Sequence, residues 1–354
     1  RGALPYRLRK DVSMRAVEYR GSRAFEVVDR APAPPAPGEV QVAVSYVGLC
    51  GTDLHVYLGD MDARVGRRAV IGHEMSGRVA GLGDDVEGLE AGRPVTVLPT
   101  RFCGRCRACE QGHSNVCYNM DFIGLDSPGA LQELWNVPAD LVVPLDESVD
   151  LRDAALTEPL TVAVHDVRRA RIRTGESVLV VGGGPIGILI GLVAQAAGGH
   201  VVLSEPEGAR RQAAEELGIP TVDPTSQDPA GIIDAGAAQG GGADVVFEVS
   251  GAAAGMDSAV ESLAAHGRLI QVAIHARRRE VDLHRFFWRE LEMYGARLYH
   301  KEDMVTAAEL IRDRRVPVAR LITSVVPMEN TSRAFAELRR GSAMKILVSV
   351  DGGS

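Results

Sequence analysis

The chain of 354 residues has few cysteines, no excess of positive charge and no long apolar stretch. No apolar run approaches the length of a membrane span, and the opening segment is charged and lacks the apolar core of a secretion signal. A formal net charge of −8 argues against a nucleic acid or an anionic membrane as partner. The length predicts two domains, each large enough to bury a core of its own.

The scarce cysteines fall entirely within two patterns that are typical of metal sites. Four of them follow the spacing C-x2-C-x2-C-x7-C in one short segment, namely Cys103, Cys106, Cys109 and Cys117. Four thiolates make a closed, structural zinc site. Disulfides are the alternative, but bridges between such close cysteines are strained, and nothing upstream indicates secretion. Since thiols kept as ligands suit a reducing compartment, we expect a cytoplasmic protein.

The fifth cysteine, Cys50, lies in the segment GLCGTDLH, and a Gly-His-Glu triplet containing His73 and Glu74 follows. A histidine by itself is more often a packed or surface residue than a ligand. Sulfur, nitrogen and carboxylate donors together, however, can hold zinc with one coordination position left open for chemistry. The sequence therefore indicates a second, catalytic metal site.

The pattern of apolar residues changes along the chain. Residues 1–13 precede Met14 and are interpreted as an extension or a cloning remnant outside the fold. Residues 14–160 show short strands separated by Gly and Pro, which is typical of a partly closed β-barrel. In residues 161–299 strands alternate with helices, which predicts a parallel sheet covered on both faces. Residues 300–354 are expected to return to the first domain.

A glycine-rich motif of the form G-x-G-x-x-G is made by Gly182, Gly184 and Gly187. Alone this pattern is weak, and an ordinary strand-to-helix turn would also explain it. Here an apolar strand precedes it, a helix follows, and an acid, Glu205, lies at the end of the next strand. This combination predicts a dinucleotide site, with the pyrophosphate at the helix N-terminus.

The acid also predicts which dinucleotide is bound. A carboxylate at Glu205 can bind both ribose hydroxyls of NAD and would repel the 2′-phosphate of NADP. Arg210 and Arg211 lie close in the sequence, and an arginine there can accept that phosphate. Solvent-exposed charge on the following helix is the simpler interpretation of both arginines. We therefore expect NAD as the cofactor.

With these motifs in hand, the sequence resembles the zinc-dependent medium-chain alcohol and polyol dehydrogenases, in particular their butanediol and sorbitol branches. The similarity runs from about Met14 to the C-terminus and includes CGTDLH, Gly-His-Glu, the four-cysteine segment, a Thr-Glu-Pro-Leu motif at 157–160 and the dinucleotide motif, in family order. It implies an α/β fold with a GroES-like, partly open β-barrel catalytic domain and a doubly wound Rossmann domain. It also implies two zinc ions per chain and a homodimer or homotetramer.

The resemblance assigns roles at the catalytic metal. Cys50 and His73 would ligate zinc throughout the cycle, and Glu74 would be a ligand that binds and leaves. Glu158 would be the fourth ligand or would hold a zinc-bound water. Asp53 would hydrogen-bond the free nitrogen of His73 and so fix its tautomer.

Further roles concern the proton, the cofactor and the substrate. Thr52 would touch the substrate oxygen, and His55 would pass the proton through the nicotinamide ribose to solvent. Phe122 and Tyr299 match positions that line the substrate pocket, although simple core packing explains them as well. The implied cofactor contacts are Gly182, Gly184, Pro185, Ile186, Gly187, Glu205, Arg210, Val249, Ser250 and Val272.

These roles predict hydride transfer between NAD and a secondary alcohol, vicinal diol or polyol, which gives the ketone. Polyol members of the sorbitol type carry an arginine directly before the pocket tyrosine, where this chain has Leu298, and this favours a smaller or less polar substrate. A threonine-type amino-alcohol dehydrogenase is an alternative, and a non-catalytic nucleotide-binding scaffold is a second one. The scaffold predicts lost metal ligands, and all of them are present here. The family's subunits pair through the last strand of the nucleotide sheet, near residues 291–298.

Overall fold

The computed structural model describes residues 13–236, 241–275, 277–341 and 343–351. Of the segment set apart by sequence, 1–13, only Ser13 falls within these described residues. Among them, no helix has both the length and the apolar character that a membrane span requires. Residue contacts divide the chain into two units.

The described residues form seventeen strands, twelve α-helices and four short 3-10 helices. The strands are β1 (Met14–Gly21), β2 (Ala24–Arg30), β3 (Glu39–Leu49), β4 (Glu74–Leu82), β5 (Pro94–Val97), β6 (Thr100–Arg101), β7 (Asp121–Phe122), β8 (Leu134–Pro138), β9 (Val142–Pro144), β10 (Ser177–Val181), β11 (His200–Ser204), β12 (Thr221–Val222), β13 (Ala243–Glu248), β14 (Leu263–Gln271), β15 (Glu292–Gly295), β16 (Ile322–Pro327) and β17 (Lys345–Ser349). The helices are α1 (Gly51–Leu58), α2 (Asp62–Val65), α3 (Arg107–Glu110), α4 (Leu151–Ala154), α5 (Thr157–Ala170), α6 (Pro185–Ala196), α7 (Gly208–Glu216), α8 (Pro229–Gly236), α9 (Ala253–Glu261), α10 (Leu283–Arg289), α11 (Lys301–Arg312) and α12 (Thr331–Arg339).

The first unit comprises the described parts of 1–158, 307–313 and 318–354. Its main sheet has the order β16-β17-β3-β4-β5-β9, with β8 also paired to β3. The long strand β3 is the centre of this sheet, because it pairs with β4, β8 and β17. The register sets Gly48 opposite Glu74 and Leu49 opposite Ile346. The end of β3 and the starts of β4 and β17 therefore meet at one place, which is where the CGTDLH and Gly-His-Glu motifs lie.

The second unit comprises Pro159–Thr306 and Arg314–Pro317. Its six strands have the order β12-β11-β10-β13-β14-β15, and all five pairings are parallel. The central strands β10 and β13 are largely apolar and buried, and Leu179, Val246 and Leu269 share a core with Met256 and Val260 of α9. This order is that of a doubly wound dinucleotide-binding sheet, as the alternation of strands and helices predicts.

Residues 159–160, 300–306 and 314–317 lie with the second unit, whereas the sequence placed them with the first. Within the second unit, a buried polar contact joins α5 to the first turn of α11. Asp303 accepts a hydrogen bond from Arg168 (2.9 Å), and its carboxylate lies 3.1 Å from His165 Nδ1. A sequence pattern cannot reveal this contact, because α5 and α11 are far apart in the chain.

Candidate active site

The start of helix α1 positions the thiol of Cys50. Cys50 is the N-cap of this helix, and its Sγ accepts a hydrogen bond from the backbone N–H of Thr52 at 3.2 Å. The backbone N–H of Cys50 in turn donates to Asp53 Oδ2 at 3.2 Å. The second bond is one half of a reciprocal capping box between Cys50 and Asp53, whose other half runs from the Asp53 backbone N–H to the Cys50 side chain. The turn that carries the CGTDLH motif therefore has a fixed geometry.

His73 presents one ring nitrogen to Cys50 and the other to Asp53. His73 Nε2 lies 3.1 Å from Cys50 Sγ, and Nδ1 lies 3.5 Å from Asp53 Oδ1. Both Nδ1 and Oδ1 are buried and have no hydrogen-bond partner at this distance. Burial by itself lowers the pKa of His73, but the charges of Cys50 and Asp53 outweigh it and raise that pKa well above its usual value. The arrangement is that of a metal-ligating histidine oriented by a carboxylate.

Glu74 has a partner that sequence reasoning missed. The ammonium group of Lys345, at the start of β17, donates to both carboxylate oxygens of Glu74 at 2.8 Å and 2.7 Å. Both side chains are buried. Burial lowers the pKa of Lys345, but the charges of Glu74 and Cys50 outweigh it, and the net shift is upward. The final strand, KILVSV, is apolar apart from its first residue and a serine, and a lysine at the start of such a strand could have indicated a buried partner for an acid.

Three predicted ligands converge in the first unit. Ligand atoms of Cys50, His73 and Glu74 all lie within 4.8 Å of one another. Glu158, in the first turn of α5, is buried and its charge contributes to the raised pKa of His73, but it is not in that group. A thiol, an imidazole nitrogen and a carboxylate match the donor types that zinc prefers, so the residues fit this metal.

The two residues predicted to carry the proton lie on α1. Thr52 is partly buried beside Cys50. His55 is 60% exposed, and its Nδ1 lies 2.9 Å from Asp60 Oδ2. A path from Thr52 through His55 to solvent therefore stays a prediction.

The four-cysteine segment folds around α3 as a second cluster. The thiol groups of Cys103, Cys106, Cys109 and Cys117 all lie within 4.8 Å of one another. Neighbouring sulfur atoms are 3.5 Å apart for Cys106 and Cys109 and for Cys103 and Cys117. No disulfide joins them. Four thiols at these separations are arranged as in a closed structural zinc site.

Backbone N–H groups point at these sulfur atoms. The N–H of Asn119 donates to Cys117 Sγ at 3.4 Å, and that of Cys103 donates to the same sulfur at 3.3 Å. The backbone N–H of Arg105 and the side chain of Asn119 lower the pKa of Cys103 to about 6. Burial and the neighbouring thiols of Cys106 and Cys117 raise the pKa of Cys109 to about 12. The hydrogen bonds therefore favour the thiolate, the form that binds metal, at Cys103 but not at every position of the loop.

In the second unit the glycine-rich motif connects β10 to α6. Gly182 has φ 113°, and a Cβ there would lie 2.9 Å from the backbone nitrogen of Ser250. A Cβ on Gly187 would lie 1.9 Å from the carbonyl oxygen of Gly182. Only glycine permits the tight turn and the close packing of the helix on it. Gly184 is the N-cap of α6, and Pro185 occupies the first turn, so the helix N-terminus is free of a side-chain cap.

Glu205 directly follows β11 and lies against this turn. Its Oε2 accepts a hydrogen bond from the N–H of Gly183 at 2.6 Å, and its Oε1 accepts one from the N–H of Glu207 at 2.9 Å. Arg211 is held by the carbonyl oxygens of Glu205 and Pro206 and by Asp223. Arg210 is closer to the acid itself, with Nη1 4.0 Å from Glu205 Oε2.

The other predicted cofactor residues lie at the same edge of the sheet. Val249 and Ser250 follow β13, and Val272 follows β14, while Ile186 lies in the first turn of α6. These positions are the carboxyl ends of neighbouring strands around the point where strand order reverses. Dinucleotides bind at this place in doubly wound sheets.

The predicted pocket residues differ in their surroundings. The ring of Phe122 meets the ring of His73 edge-on, with centroids 5.0 Å apart, so it lies beside the metal ligands. Tyr299 belongs to the second unit and is only 1% exposed, as a core residue would be. Leu298 before it has φ 54°, an uncommon conformation for a residue with a Cβ.

Comparison with known proteins agrees with both units. Residues 36–147 match the alcohol dehydrogenase GroES-like domain, and residues 185–313 match the zinc-binding dehydrogenase domain. The chain is 44% identical to a 2-dehydro-3-deoxy-L-galactonate 5-dehydrogenase of Pseudoalteromonas atlantica, over 95% of this chain and 98% of the relative. It is 33% identical to an L-galactonate-5-dehydrogenase of Escherichia coli, over 85% and 88% of the two chains.

Among solved structures, a 2R,3R-butanediol dehydrogenase of Bacillus subtilis superposes with a TM-score of 0.87 at 29% identity, covering 95% of this chain and 99% of the other. The family matches confirm the predicted GroES-like and Rossmann domains. They also agree with hydride transfer from secondary alcohols and polyols as the reaction class. The metal-ligand cluster, the dinucleotide turn and these relationships together place the chain in the zinc-dependent medium-chain alcohol and polyol dehydrogenase family.

Proposed function

We propose that the chain oxidises a secondary hydroxyl group of a polyhydroxy acid to a ketone with NAD. The observation that supports this most strongly is the convergence of Cys50, His73 and Glu74 on one point in the first unit. The relatives' names favour a sugar acid over the smaller diol that Leu298 suggests. The hydroxyl at C5 of a six-carbon acid is the group that we expect to react.

The residues of the first unit would hold zinc and manage the proton. Cys50 and His73 would be permanent ligands, with Glu74 a ligand when Lys345 releases it. A zinc ion in this site supplies a Lewis acid that makes a substrate hydroxyl more acidic. Asp53 would keep the proton of His73 on Nδ1, so that Nε2 is free to bind the metal.

Proton removal is assigned to two further residues. The hydroxyl of Thr52 would take the substrate proton, and His55 would pass it to solvent. Glu158 lies outside the close ligand group, so holding an ordered water suits it better than direct ligation. Bound nicotinamide supplies the hydride acceptor.

Three further features belong to this proposal. Glu205 favours NAD over NADP, and the four-cysteine loop would hold a second, structural zinc. The thiols of that loop would stay reduced in the cytoplasm, which we propose as the location.

The chain would be a homodimer or homotetramer, because β15 is the edge strand of the described sheet and the helix before it has exposed apolar side chains. These are Leu283, Phe287 and Trp288, which are 74%, 76% and 68% exposed.

A substrate panel tests the reaction. The zinc-loaded chain would be assayed by NADH absorbance with L-galactonate, 2-dehydro-3-deoxy-L-galactonate, sorbitol, butane-2,3-diol and L-threonine. We expect the highest kcat/KM with a sugar acid. The highest value with L-threonine would support the amino-alcohol alternative. A chain that binds NAD and zinc but turns over none of them would support the non-catalytic scaffold.

A further inference from the structure

The carboxylate of Glu248, at the end of β13, organises the turn that follows this strand. The side chain is fully buried. Its Oε1 accepts hydrogen bonds from the backbone N–H groups of Ser250 and Gly251, both at 3.0 Å, and from the Ser250 hydroxyl at 2.6 Å. The backbone of Ser250 also lies against Gly182, because a Cβ added to this glycine would be only 2.9 Å from the Ser250 nitrogen. Glu248 therefore fixes the backbone that borders the glycine-rich turn.

The same residue also binds the loop that follows β14. Its Oε2 lies 3.0 Å from His275 Nε2 and accepts a hydrogen bond from the Gln271 side chain at 3.3 Å. Its carbonyl oxygen accepts from the backbone N–H groups of Val272 and Ala273, both at 3.0 Å. One buried residue thus joins the two loops at the carboxyl edge of the sheet.

Arg279 closes this network and determines the tautomer of His275. Arg279 Nε donates to His275 Nδ1 at 3.1 Å, and Nη2 donates to the carbonyl oxygen of Gly251 at 3.2 Å. A guanidinium group can only donate, so Nδ1 must be the acceptor. The ring is therefore neutral, with its proton on Nε2, and it donates that proton to Glu248.

We propose that neutral His275 is a positioning residue for the nicotinamide dinucleotide, because it ties the loops after β13 and β14 together through Glu248 and Arg279. Both loops flank the point where strand order reverses, which is where a dinucleotide binds in this fold. Within the described residues, the charged groups that contact the ring are Glu248 from β13 and Arg279 from its own loop. Gln271 and Ser250 add neutral groups on Glu248.

A side chain without polar atoms at position 275 would break this network at one place. Arg279 would lose its acceptor, and Glu248 would lose one of its donors. Cofactor affinity should therefore fall when an apolar side chain replaces the ring, and it should stay high when an amide supplies the same acceptor and donor.

Calorimetric titration with NAD tests the proposal on the wild type and two variants. His275→Gln keeps one acceptor and one donor in place of the ring nitrogens, so we expect it to bind NAD like the wild type. His275→Leu supplies neither, so its Kd should be about tenfold higher, as for loss of one such interaction.

His266→Leu is the matched control, since His266 is exposed and lies outside the network; it should bind NAD like the wild type. Wild-type affinity in His275→Leu, or binding by His275→Gln that is as weak as that of His275→Leu, would overturn the proposal. Histidine-selective 15N NMR of the wild type identifies the protonated ring nitrogen of His275 without any variant. A neutral ring with its proton on Nδ1 would also overturn the proposal. The same titrations are repeated with NADP. If the proposed NAD preference is wrong, the wild type binds NADP more tightly than NAD, but His275→Leu should still weaken the binding of the preferred dinucleotide.

Discussion

Lys345 Nζ lies 2.8 Å and 2.7 Å from the two carboxylate oxygens of Glu74, and both side chains are buried. This ion pair ties the last strand of the first unit to a predicted zinc ligand. It has two consequences. The pair compensates the burial of both charges, and it competes with a metal for the Glu74 carboxylate.

Lys345→Met should destabilise the metal-free chain by about 3–5 kcal/mol, because it leaves an unpaired buried carboxylate. Zinc should recover part of that loss, since Glu74 is then free to bind the metal. Urea unfolding with zinc and with a chelator measures both effects. The double variant Lys345→Met/Glu74→Leu is the control and should recover most of the stability. A single variant within ~1 kcal/mol of the wild type would contradict the importance of the pair.

The wild-type chain should carry two zinc ions, and Cys106→Ser should lose the structural one only. Its Tm should fall by roughly 10 °C, if the site contributes about 3 kcal/mol and each kcal/mol shifts Tm by about 2–4 °C. Elemental analysis and thermal unfolding measure metal content and stability. Cys50→Ser is the matched variant, and it should lose activity and the other zinc with a smaller change in Tm. Loss of activity by Cys106→Ser with unchanged Tm would refute a structural role.

Glu205→Ser should shift the cofactor preference towards NADP. The change removes a carboxylate that repels the 2′-phosphate, so the NADP/NAD ratio of kcat/KM should rise by roughly 10- to 100-fold. The Gly183 N–H also loses its acceptor, so NAD binding should weaken at the same time. Adding Arg210→Ala should reduce the gain if Arg210 binds the phosphate. If the wild type already prefers NADP, Glu205 does not select NAD by binding its ribose hydroxyls.

The proton path can be tested at Thr52 and His55. Thr52→Val should lower the oxidation rate by several orders of magnitude and leave zinc bound. His55→Gln should cost on the order of 10²-fold, and small bases in the buffer should partly rescue it. Asp60→Asn is the control for the contact between Asp60 and His55 and should have a smaller effect. Normal turnover of His55→Gln across about pH 6 to 9 would instead favour a route through Glu158 and ordered water.

The subunit interface can be tested at the exposed helix α10. Phe287→Ser removes an apolar side chain that is 76% exposed on α10, the helix that precedes the edge strand β15 in the chain, and it should weaken the oligomer. Sedimentation at micromolar concentration measures the change. Val325→Ser, at an exposed apolar position of the first unit, is the control and should leave the mass unchanged. A monomeric wild type would eliminate the proposed assembly.

Sequence by itself determined the features whose residues are neighbours in the chain. The four thiols share one segment, so their spacing alone predicts the cluster that the structure forms. The glycine motif needs only one strand, one turn and one helix, and apolar periodicity predicts the parallel sheet around it. Cys50 and His73 are further apart, but each lies in a short motif with a known partner type.

Only the tertiary structure decided the contacts between distant segments. Lys345 meets Glu74 because β3 pairs with both β4 and β17, and no local pattern contains that register. Asp303 meets His165 because the fold brings α11 to α5, and Glu248 joins two loops that follow separate strands. Local motifs carry their own chemistry, whereas the partner of a buried charge depends on which strands and helices the folded chain brings together.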